Sequence, residues 1–87
     1  MDNTRAAITG DPLNGAIALV LRLAQTEARM TDIALAAKVD VKVQTLRRWL
    51  ADERPMPATP FVRIAEALGV EPSEVIRRAR QRLSEQV

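Results

Sequence analysis

The sequence predicts an all-α protein, folded as a compact bundle of five helices around one core. Aromatic residues make up only 2% of the chain, and β-branched residues rarely alternate with polar ones, so strand patterns are weak. Apolar residues instead recur every three or four positions, in segments that begin with helix-capping residues. A length of 87 residues suits one domain rather than two.

The chain is predicted to begin with a flexible leader over 1–10, and a single domain follows over 11–87. The first helix has a clear start, because Asp11 can cap it and Pro12 suits its first position. Gly15 is expected to weaken this helix slightly. The apolar stripe of the helix consists of Leu13, Ile17, Val20, Leu21, Ala24 and Ala28.

Two short helices separated by a tight turn are predicted next. The first runs from a Thr31 cap through Val39. Its inward-facing residues are Leu35, Ala36 and Val39. Asp40 then interrupts the pattern, and we expect a turn there because Asp tolerates a left-handed backbone better than most residues. The second helix follows over 42–51 and ends at a polar loop with two prolines, 52–57.

The fourth and fifth helices are predicted from residues that begin or end helices and from their apolar stripes. Thr59 followed by Pro60 predicts the start of the fourth helix, and Gly69 stops it. Its apolar face consists of Phe61, Ile64, Ala65 and Leu68. The fifth helix, over 72–85, carries the apolar stripe Val75, Ile76, Ala79 and Leu83. The remaining surface of this helix holds Arg77, Arg78, Arg80 and Arg82, which could bind phosphate, contact an acidic partner or only solubilise the helix.

The composition excludes several classes of function. The chain has no His and no Cys, so it lacks imidazole bases, thiol nucleophiles, disulfides and the usual zinc ligands. The glycines form no phosphate-binding loop. We therefore expect that the protein is not an enzyme and that it binds no cofactor, no metal and no small-molecule substrate. The longest apolar run, 16–21, is far below the roughly 20 residues that cross a bilayer, which predicts a cytoplasmic or nucleoid-associated protein without membrane contact.

The third helix carries the residues with informative chemistry. At about 100° per residue, Leu46, Trp49 and Leu50 share one apolar sector that must face the core. Val43 lies on the boundary of that sector. The opposite sector carries an amide and two guanidinium groups, from Gln44, Arg47 and Arg48. Gln can pair bidentately with adenine, Arg with guanine, and an apolar side chain can contact the thymine methyl, so these residue types suit a helix that reads the major groove.

Two segments of the chain resemble a known family. Residues 31–50, TDIALAAKVDVKVQTLRRWL, resemble the helix-turn-helix of Xre-type regulators, a group that includes phage lambda-type repressors and Cro proteins. Residues 64–74, IAEALGVEPSE, resemble the end of that family's fourth helix and the start of its fifth. The resemblance covers roughly residues 13–76. It implies a lambda repressor-like DNA-binding domain whose partner is a double-stranded DNA operator.

The resemblance also implies roles for individual residues. The positions that commonly face bases in this family are occupied by Val43, Gln44, Arg47 and Arg48. The phosphate-binding positions are occupied by Thr31, Lys42, Thr45 and Arg54.

Acidic residues depart from the family pattern at three places. Asp32 stands where the family often has a Gln near a phosphate. A carboxylate there would repel DNA unless it caps the helix or pairs with a neighbour, so we assign it no DNA contact. Asp40 and Asp52 stand in place of frequent turn glycines. The substitution is sterically tolerable at Asp40, whereas it leaves the loop geometry at Asp52 open.

The leading hypothesis is a sequence-specific transcriptional regulator, a phage repressor-like or Cro-like protein that occupies an operator with helix 42–51 in the major groove. A homodimer through Val75, Ile76, Ala79 and Leu83 is the expected assembly, although these residues could instead close the core of one chain. Two alternatives stay open. One is the DNA-binding antitoxin of a toxin–antitoxin pair. The other is a protein-interaction module that retains the fold, which would accommodate the carboxylates of Asp32, Asp40, Asp52 and Glu53.

Overall fold

The computed structural model describes residues 11–85, and the leader predicted over 1–10 lies outside the described residues. The described part of the chain is helical and contains no strand. Its helices are α1 (Pro12–Glu27), α2 (Asp32–Val39), α3 (Val43–Leu50), α4 (Ala58–Ala67) and α5 (Pro72–Glu85). The predicted all-α fold class is therefore confirmed.

The starts of α1 and α2 follow the predicted capping residues. The Asp11 carboxylate accepts a hydrogen bond from the Leu13 backbone nitrogen at 3.0 Å. Thr31 Oγ1 accepts one from the Ala34 backbone nitrogen at 3.1 Å. Each side chain satisfies one of the N–H groups that a helix cannot pair internally at its start. Both predicted caps are confirmed.

The start of α4 differs from the prediction. The helix begins at Ala58 with Pro57 before it, and the Phe61 backbone nitrogen donates to the Pro57 carbonyl at 3.0 Å. Thr59 and Pro60 therefore lie inside the first turn, and Thr59 is not the cap. A proline is tolerated there because the first N–H groups of a helix have no intrahelical acceptor to lose.

The first four helices of the described chain end in the same backbone motif. A residue one or two positions beyond the end of each helix has a positive φ: Arg29 (54°), Asp40 (60°), Asp52 (61°) and Gly69 (78°). After α3, for example, the Glu53 nitrogen donates to the Arg48 carbonyl at 2.9 Å and the Asp52 nitrogen to the Trp49 carbonyl at 3.1 Å. These paired bonds satisfy carbonyls at the helix end. The turn predicted at Asp40 is confirmed, and Asp52 adopts the left-handed backbone that a glycine would.

The core is built around one large aliphatic side chain from each helix of the described chain. These fully buried residues are Leu21, Leu35, Leu46, Ile64 and Val75. The helices converge on them because α1 packs along α5, while α2 contacts α3 and α4, and α3 also contacts α1. Trp49 and Leu50 join the same cluster. The predicted inward faces of α2 and α3 are therefore confirmed.

The apolar stripe expected to form a dimer contact on α5 is divided between two environments. Val75 and Ala79 are fully buried in the chain's own core, so they cannot also contact a second copy. Leu83 is half-buried and packs against the same core. Ile76 is 36% exposed. Of the expected dimer residues, Ile76 and the outer part of Leu83 are thus the ones that a partner could reach.

Gly15 allows the loop after α3 to approach α1 closely. A Cβ atom at Gly15 would lie 3.0 Å from Asp52 Oδ2. Asn14 Nδ2 donates to the other carboxylate oxygen, Asp52 Oδ1, at 3.0 Å. The Asp52 carboxylate therefore points toward α1 and is hydrogen-bonded to its first turn. The sequence predicted only that Gly15 weakens α1, whereas the structure gives it a packing role.

Leu46→Ala should destabilise the fold by about 2 to 5 kcal/mol, because it leaves a cavity where the helices converge. Gln44→Ala is the matched control on the exposed side of the same helix, and its effect should stay within about 0.5 kcal/mol. Urea unfolding followed by circular dichroism measures both. Equal stability of the two variants would contradict the core placement of Leu46.

Gly15→Ala should lower the free energy of unfolding by about 0.5 to 2 kcal/mol, because crowding against Asp52 outweighs the gain in helix propensity. In an Asp52→Gly background the crowding is absent, and Gly15→Ala should instead stabilise the protein by about 0.5 to 1 kcal/mol. Urea unfolding of the four proteins measures this change of sign. The same effect of Gly15→Ala in both backgrounds would show that the close approach does not limit packing.

Candidate nucleic-acid interface

The third helix, α3, separates its residues onto two faces. Leu46, Trp49 and Leu50 are buried in the core. The opposite face exposes Gln44, Arg47 and Arg48. These three residues are neighbours on the helix surface because residues three and four positions apart lie on the same face. The structure thus presents an amide and two guanidinium groups together on a helix whose other side is fixed.

The remaining α3 positions lie at the edges of this exposed face. Val43 is half-buried and packs against the core, in agreement with its predicted boundary position. Thr45 is also half-buried. Lys42 is exposed and stands immediately before the helix, in extended backbone geometry. Lys42 therefore lies beside the N-terminal N–H groups of α3.

The start of α2 adds further polar groups. Thr31 is exposed, and its hydroxyl oxygen accepts the capping hydrogen bond from the Ala34 nitrogen. The hydroxyl can still donate its own hydrogen, because a threonine hydroxyl both donates and accepts. At this end of α2 the Thr31 hydroxyl therefore keeps one hydrogen that it can donate to a ligand.

Asp32 connects three helices through its carboxylate. Gln25 Nε2, near the end of α1, donates to Asp32 Oδ1 at 2.7 Å. The same Gln25 nitrogen donates to the Met30 carbonyl at 3.0 Å. Arg47 Nε donates to the second oxygen, Asp32 Oδ2, at 3.0 Å. One carboxylate thus binds α1 on one side and the exposed face of α3 on the other.

The pKa of Asp32 is lowered from its ordinary value of 3.8. The hydrogen bond from Gln25 contributes most, followed by the hydrogen bond from Arg47, and the positive charge of Arg47 also lowers this pKa. Asp32 also lies in the first turn of α2, where the helix dipole favours a negative charge. Asp32 is therefore a carboxylate paired with a neighbour, one of the conditions under which an acidic residue is tolerable beside DNA.

The three charged residues of the loop after α3 differ in their exposure and in their partners. Asp52 is half-buried and bound to Asn14 on α1. Glu53 and Arg54 are exposed. The loop therefore exposes the positive charge of Arg54 beside the negative charge of Glu53, while the Asp52 carboxylate is hydrogen-bonded to Asn14.

The hydrogen-bond network of Gln25, Asp32 and Arg47 was missed by the sequence analysis. The sequence predicts Arg47 as a base-reading residue and assigns Asp32 no DNA contact, but it names neither Arg47 nor Gln25 as a partner of Asp32. Opposite charges on adjacent helices are a signal for the Asp32–Arg47 pair. Gln25 carries no such signal, because it lies on α1 and reaches Asp32 only through the turn that brings the two helices together.

A second basic surface lies on α5, where Glu74 binds two of the four arginines. Arg77 donates to Glu74 through Nε at 2.9 Å and Nη2 at 2.7 Å, and Arg78 Nε donates at 2.8 Å. The hydrogen bonds from Arg77, and then the one from Arg78, lower the pKa of Glu74 from 4.5 to about 2. Arg80 and Arg82 are exposed on the same helix.

Metal-binding clusters and membrane-spanning helices are both absent from residues 11–85. His, Cys, Asp and Glu side chains form no group there that could hold a metal ion. None of the helices in this range combines the length and the apolar character required to span a bilayer.

One comparison with known proteins gave a match. The family model described as Helix-turn-helix matches residues 21–75, which is more than half of the chain. The match begins within α1, includes α2, α3 and α4, and ends in the first turn of α5. Comparisons with curated proteins and with solved structures gave no match.

The Asp32 carboxyl should titrate below pH 3.8 in the folded protein, because the Gln25 and Arg47 hydrogen bonds favour its ionised form. Since the folded pKa lies below the unfolded one, the resulting stability is present above pH 3.8 and is lost as the pH falls through the folded pKa. An NMR titration of the Asp32 carboxyl carbon measures this midpoint.

Arg47→Gln should raise the Asp32 midpoint toward the ordinary value, whereas Arg48→Gln should leave it in place. Both substitutions remove one positive charge from the exposed face of α3, but Arg47 is the residue that binds Asp32. An equal shift in the two variants would mean that general charge, and not the hydrogen bond, sets the pKa.

Proposed function

The chain belongs to the Xre/lambda-repressor-type helix-turn-helix family of DNA-binding regulators, and from that premise we propose that it represses transcription by occupying an operator, with α3 in the major groove. The observation that carries the proposal is the division of α3 into a buried apolar face and an exposed face bearing Gln44, Arg47 and Arg48. A helix that is fixed by its own core can present these groups to base edges without rearranging.

Sequence recognition is assigned to Val43, Gln44, Arg47 and Arg48. Gln44 suits adenine and the arginines suit guanine, because these side chains can form paired hydrogen bonds with those bases. The exposed part of Val43 suits the thymine methyl group. Exposure of the three polar residues on one face supports this assignment.

Affinity is assigned to phosphate contacts from Thr31, Lys42, Thr45 and Arg54. Thr31 and Lys42 are exposed at the starts of α2 and α3, where backbone N–H groups also favour an anion. Arg54 is exposed in the loop after α3, and Thr45 is half-buried beside Gln44. Such contacts set the register of the protein on DNA and make binding dependent on salt concentration.

A symmetric dimer is proposed as the form that binds the operator, because two copies would read two half-sites about 34 to 36 Å apart. Ile76 and the outer part of Leu83 are the α5 residues available for the contact, since Val75 and Ala79 are buried within one chain.

Two alternatives depend on different partners. A DNA-binding antitoxin would keep the same DNA contacts and use another surface to bind a toxin. A protein-interaction module would keep the fold without DNA binding. The bonds that engage the carboxylates of Asp32 and Asp52 weaken the electrostatic argument for such a module, whereas Asp40 and Glu53 stay exposed. The proposed regulator carries out no catalytic step.

Selection from a random duplex library at two salt concentrations tests the proposal. A regulator should enrich one motif and bind less tightly at higher salt, because bound cations on the DNA are released. A palindromic motif supports a dimer, and a single half-site supports a monomer. Absence of both enrichment and salt-sensitive binding would overturn the proposed function in favour of the interaction module.

Arg48→Ala should weaken binding to the selected duplex by about 1 to 3 kcal/mol and relax the preference at one base pair of each half-site. Arg80→Ala is the matched control, because it removes an exposed arginine from α5 and leaves α3 unchanged. Fluorescence anisotropy with labelled selected and random duplexes measures both effects. If Arg48→Ala weakens binding to both duplexes equally, Arg48 contacts phosphate and does not read a base.

A further inference from the structure

We propose that Asp32 is a positioning residue for sequence recognition: its carboxylate holds Arg47 by Nε, so that the terminal guanidinium nitrogens of Arg47 are preset for a base edge. This inference rests on the proposed function, because it concerns how one member of the exposed α3 face is oriented. The observation behind it is the 3.0 Å bond from Arg47 Nε to Asp32 Oδ2.

The chemistry of the guanidinium group allows one arginine to make both contacts. Arginine has five N–H donors in a rigid plane, one on Nε and four on the terminal nitrogens. The bond that the structure records between Arg47 and Asp32 uses Nε. The terminal nitrogens therefore keep the donors that pair with the O6 and N7 atoms of guanine.

Asp32 can orient Arg47 because it is itself anchored. Gln25 Nε2 donates to Asp32 Oδ1 at 2.7 Å and to the Met30 carbonyl at 3.0 Å. The result is a chain of hydrogen bonds from the turn after α1, through Gln25 and Asp32, to Arg47. Arg47 is 54% exposed in its side chain while Asp32 is 35% exposed, so the more accessible end of the chain is the arginine.

Presetting a flexible side chain favours specific binding because less freedom is lost on association. An arginine without such a partner would sample many rotamers and could bind phosphates as readily as bases. The Asp32 carboxylate also repels every phosphate near it, whatever the DNA sequence. Only the pairing raises discrimination, because it favours the correct base, whereas the repulsion weakens binding to the selected sequence and to all other DNA alike.

These two effects give the inference a distinctive signature. Removing the charge of Asp32 should leave binding to random DNA unchanged or tighter, while it weakens binding to the selected sequence. A purely structural Asp32 would instead weaken both interactions and lower the melting temperature. A purely repulsive Asp32 would tighten both equally when its charge is removed.

The experiment compares Asp32→Asn with Glu53→Gln in the full chain. Each substitution removes one negative charge with little change in size, and Glu53 is exposed in the loop after α3. Dissociation constants for the selected duplex, its single-base variants and a random duplex are measured by fluorescence anisotropy at one salt concentration. Circular dichroism melting of each variant reports whether the fold is kept.

For Asp32→Asn, the ratio of random to selected dissociation constants should fall at least about fivefold, with the loss confined to one base pair of each half-site. Glu53→Gln should leave that ratio unchanged. An unchanged ratio in Asp32→Asn would overturn the inference, as would parallel weakening on both duplexes together with a lower melting temperature.

Arg47→Lys provides a second test that does not alter Asp32. Lysine keeps the positive charge but offers a single flexible ammonium group, so it cannot bind Asp32 and present a planar pair of donors at once. It should lose preference at the same base pair as Asp32→Asn, and combining both substitutions should add little further loss. Unchanged selectivity in Arg47→Lys would overturn the inference even if Asp32→Asn failed to fold.

Failure of the proposed function and failure of the positioning role of Asp32 give different results. If the unsubstituted chain enriches no sequence, the proposed function and this inference are overturned together. If the unsubstituted chain is selective and the variants keep the same selectivity at every base pair, only the positioning role of Asp32 is overturned.

Discussion

The rotational setting of α3 depends on the shared burial of one aliphatic side chain from each helix of the described chain. Leu46 is the member of that set on α3, and it is fully buried together with Leu35 of α2 and Leu21 of α1. Successive residues are turned by about 100° on a helix, so a shift of one position in either direction would direct one of the two exposed arginines toward the core. The apolar packing therefore determines which polar groups face outward, although none of its atoms belongs to the proposed interface.

The placement of acidic residues is the second constraint on this surface. A protein that binds a polyanion gains little from carboxylates nearby unless each has another role. Asp32 is bound by Gln25 and Arg47, and Asp52 is bound by Asn14 where Gly15 leaves room for it. Both residues also belong to helix ends, one in the first turn of α2 and the other in the left-handed position after α3. The carboxylates of Asp32 and Asp52 thus have hydrogen-bond partners within the protein.

The sequence predicted features whose causes are local. The caps at Asp11 and Thr31 and the turn at Asp40 each depend on residues within a few positions, and all were confirmed. The start of α4 was misplaced because any position in the first turn tolerates a proline, so the Thr–Pro signal did not fix the register. Contacts between distant residues had no local signal, as with Asn14 and Asp52, which are 38 positions apart. The exposed face of α3 followed from helical periodicity alone, whereas its network with Gln25 required the folded arrangement.

The burial of Trp49 has a consequence for optical spectroscopy of this protein. The chain contains one tryptophan and no tyrosine, so its near-ultraviolet emission comes from a single indole. Trp49 is 9% exposed as a residue and packs among the core residues behind the exposed face of α3. Its emission maximum should lie at short wavelength in the folded state and move to longer wavelength on unfolding. A ligand that docks on the opposite face of α3 leaves this indole out of direct contact, so a large change in its emission on binding would signal rearrangement of the core.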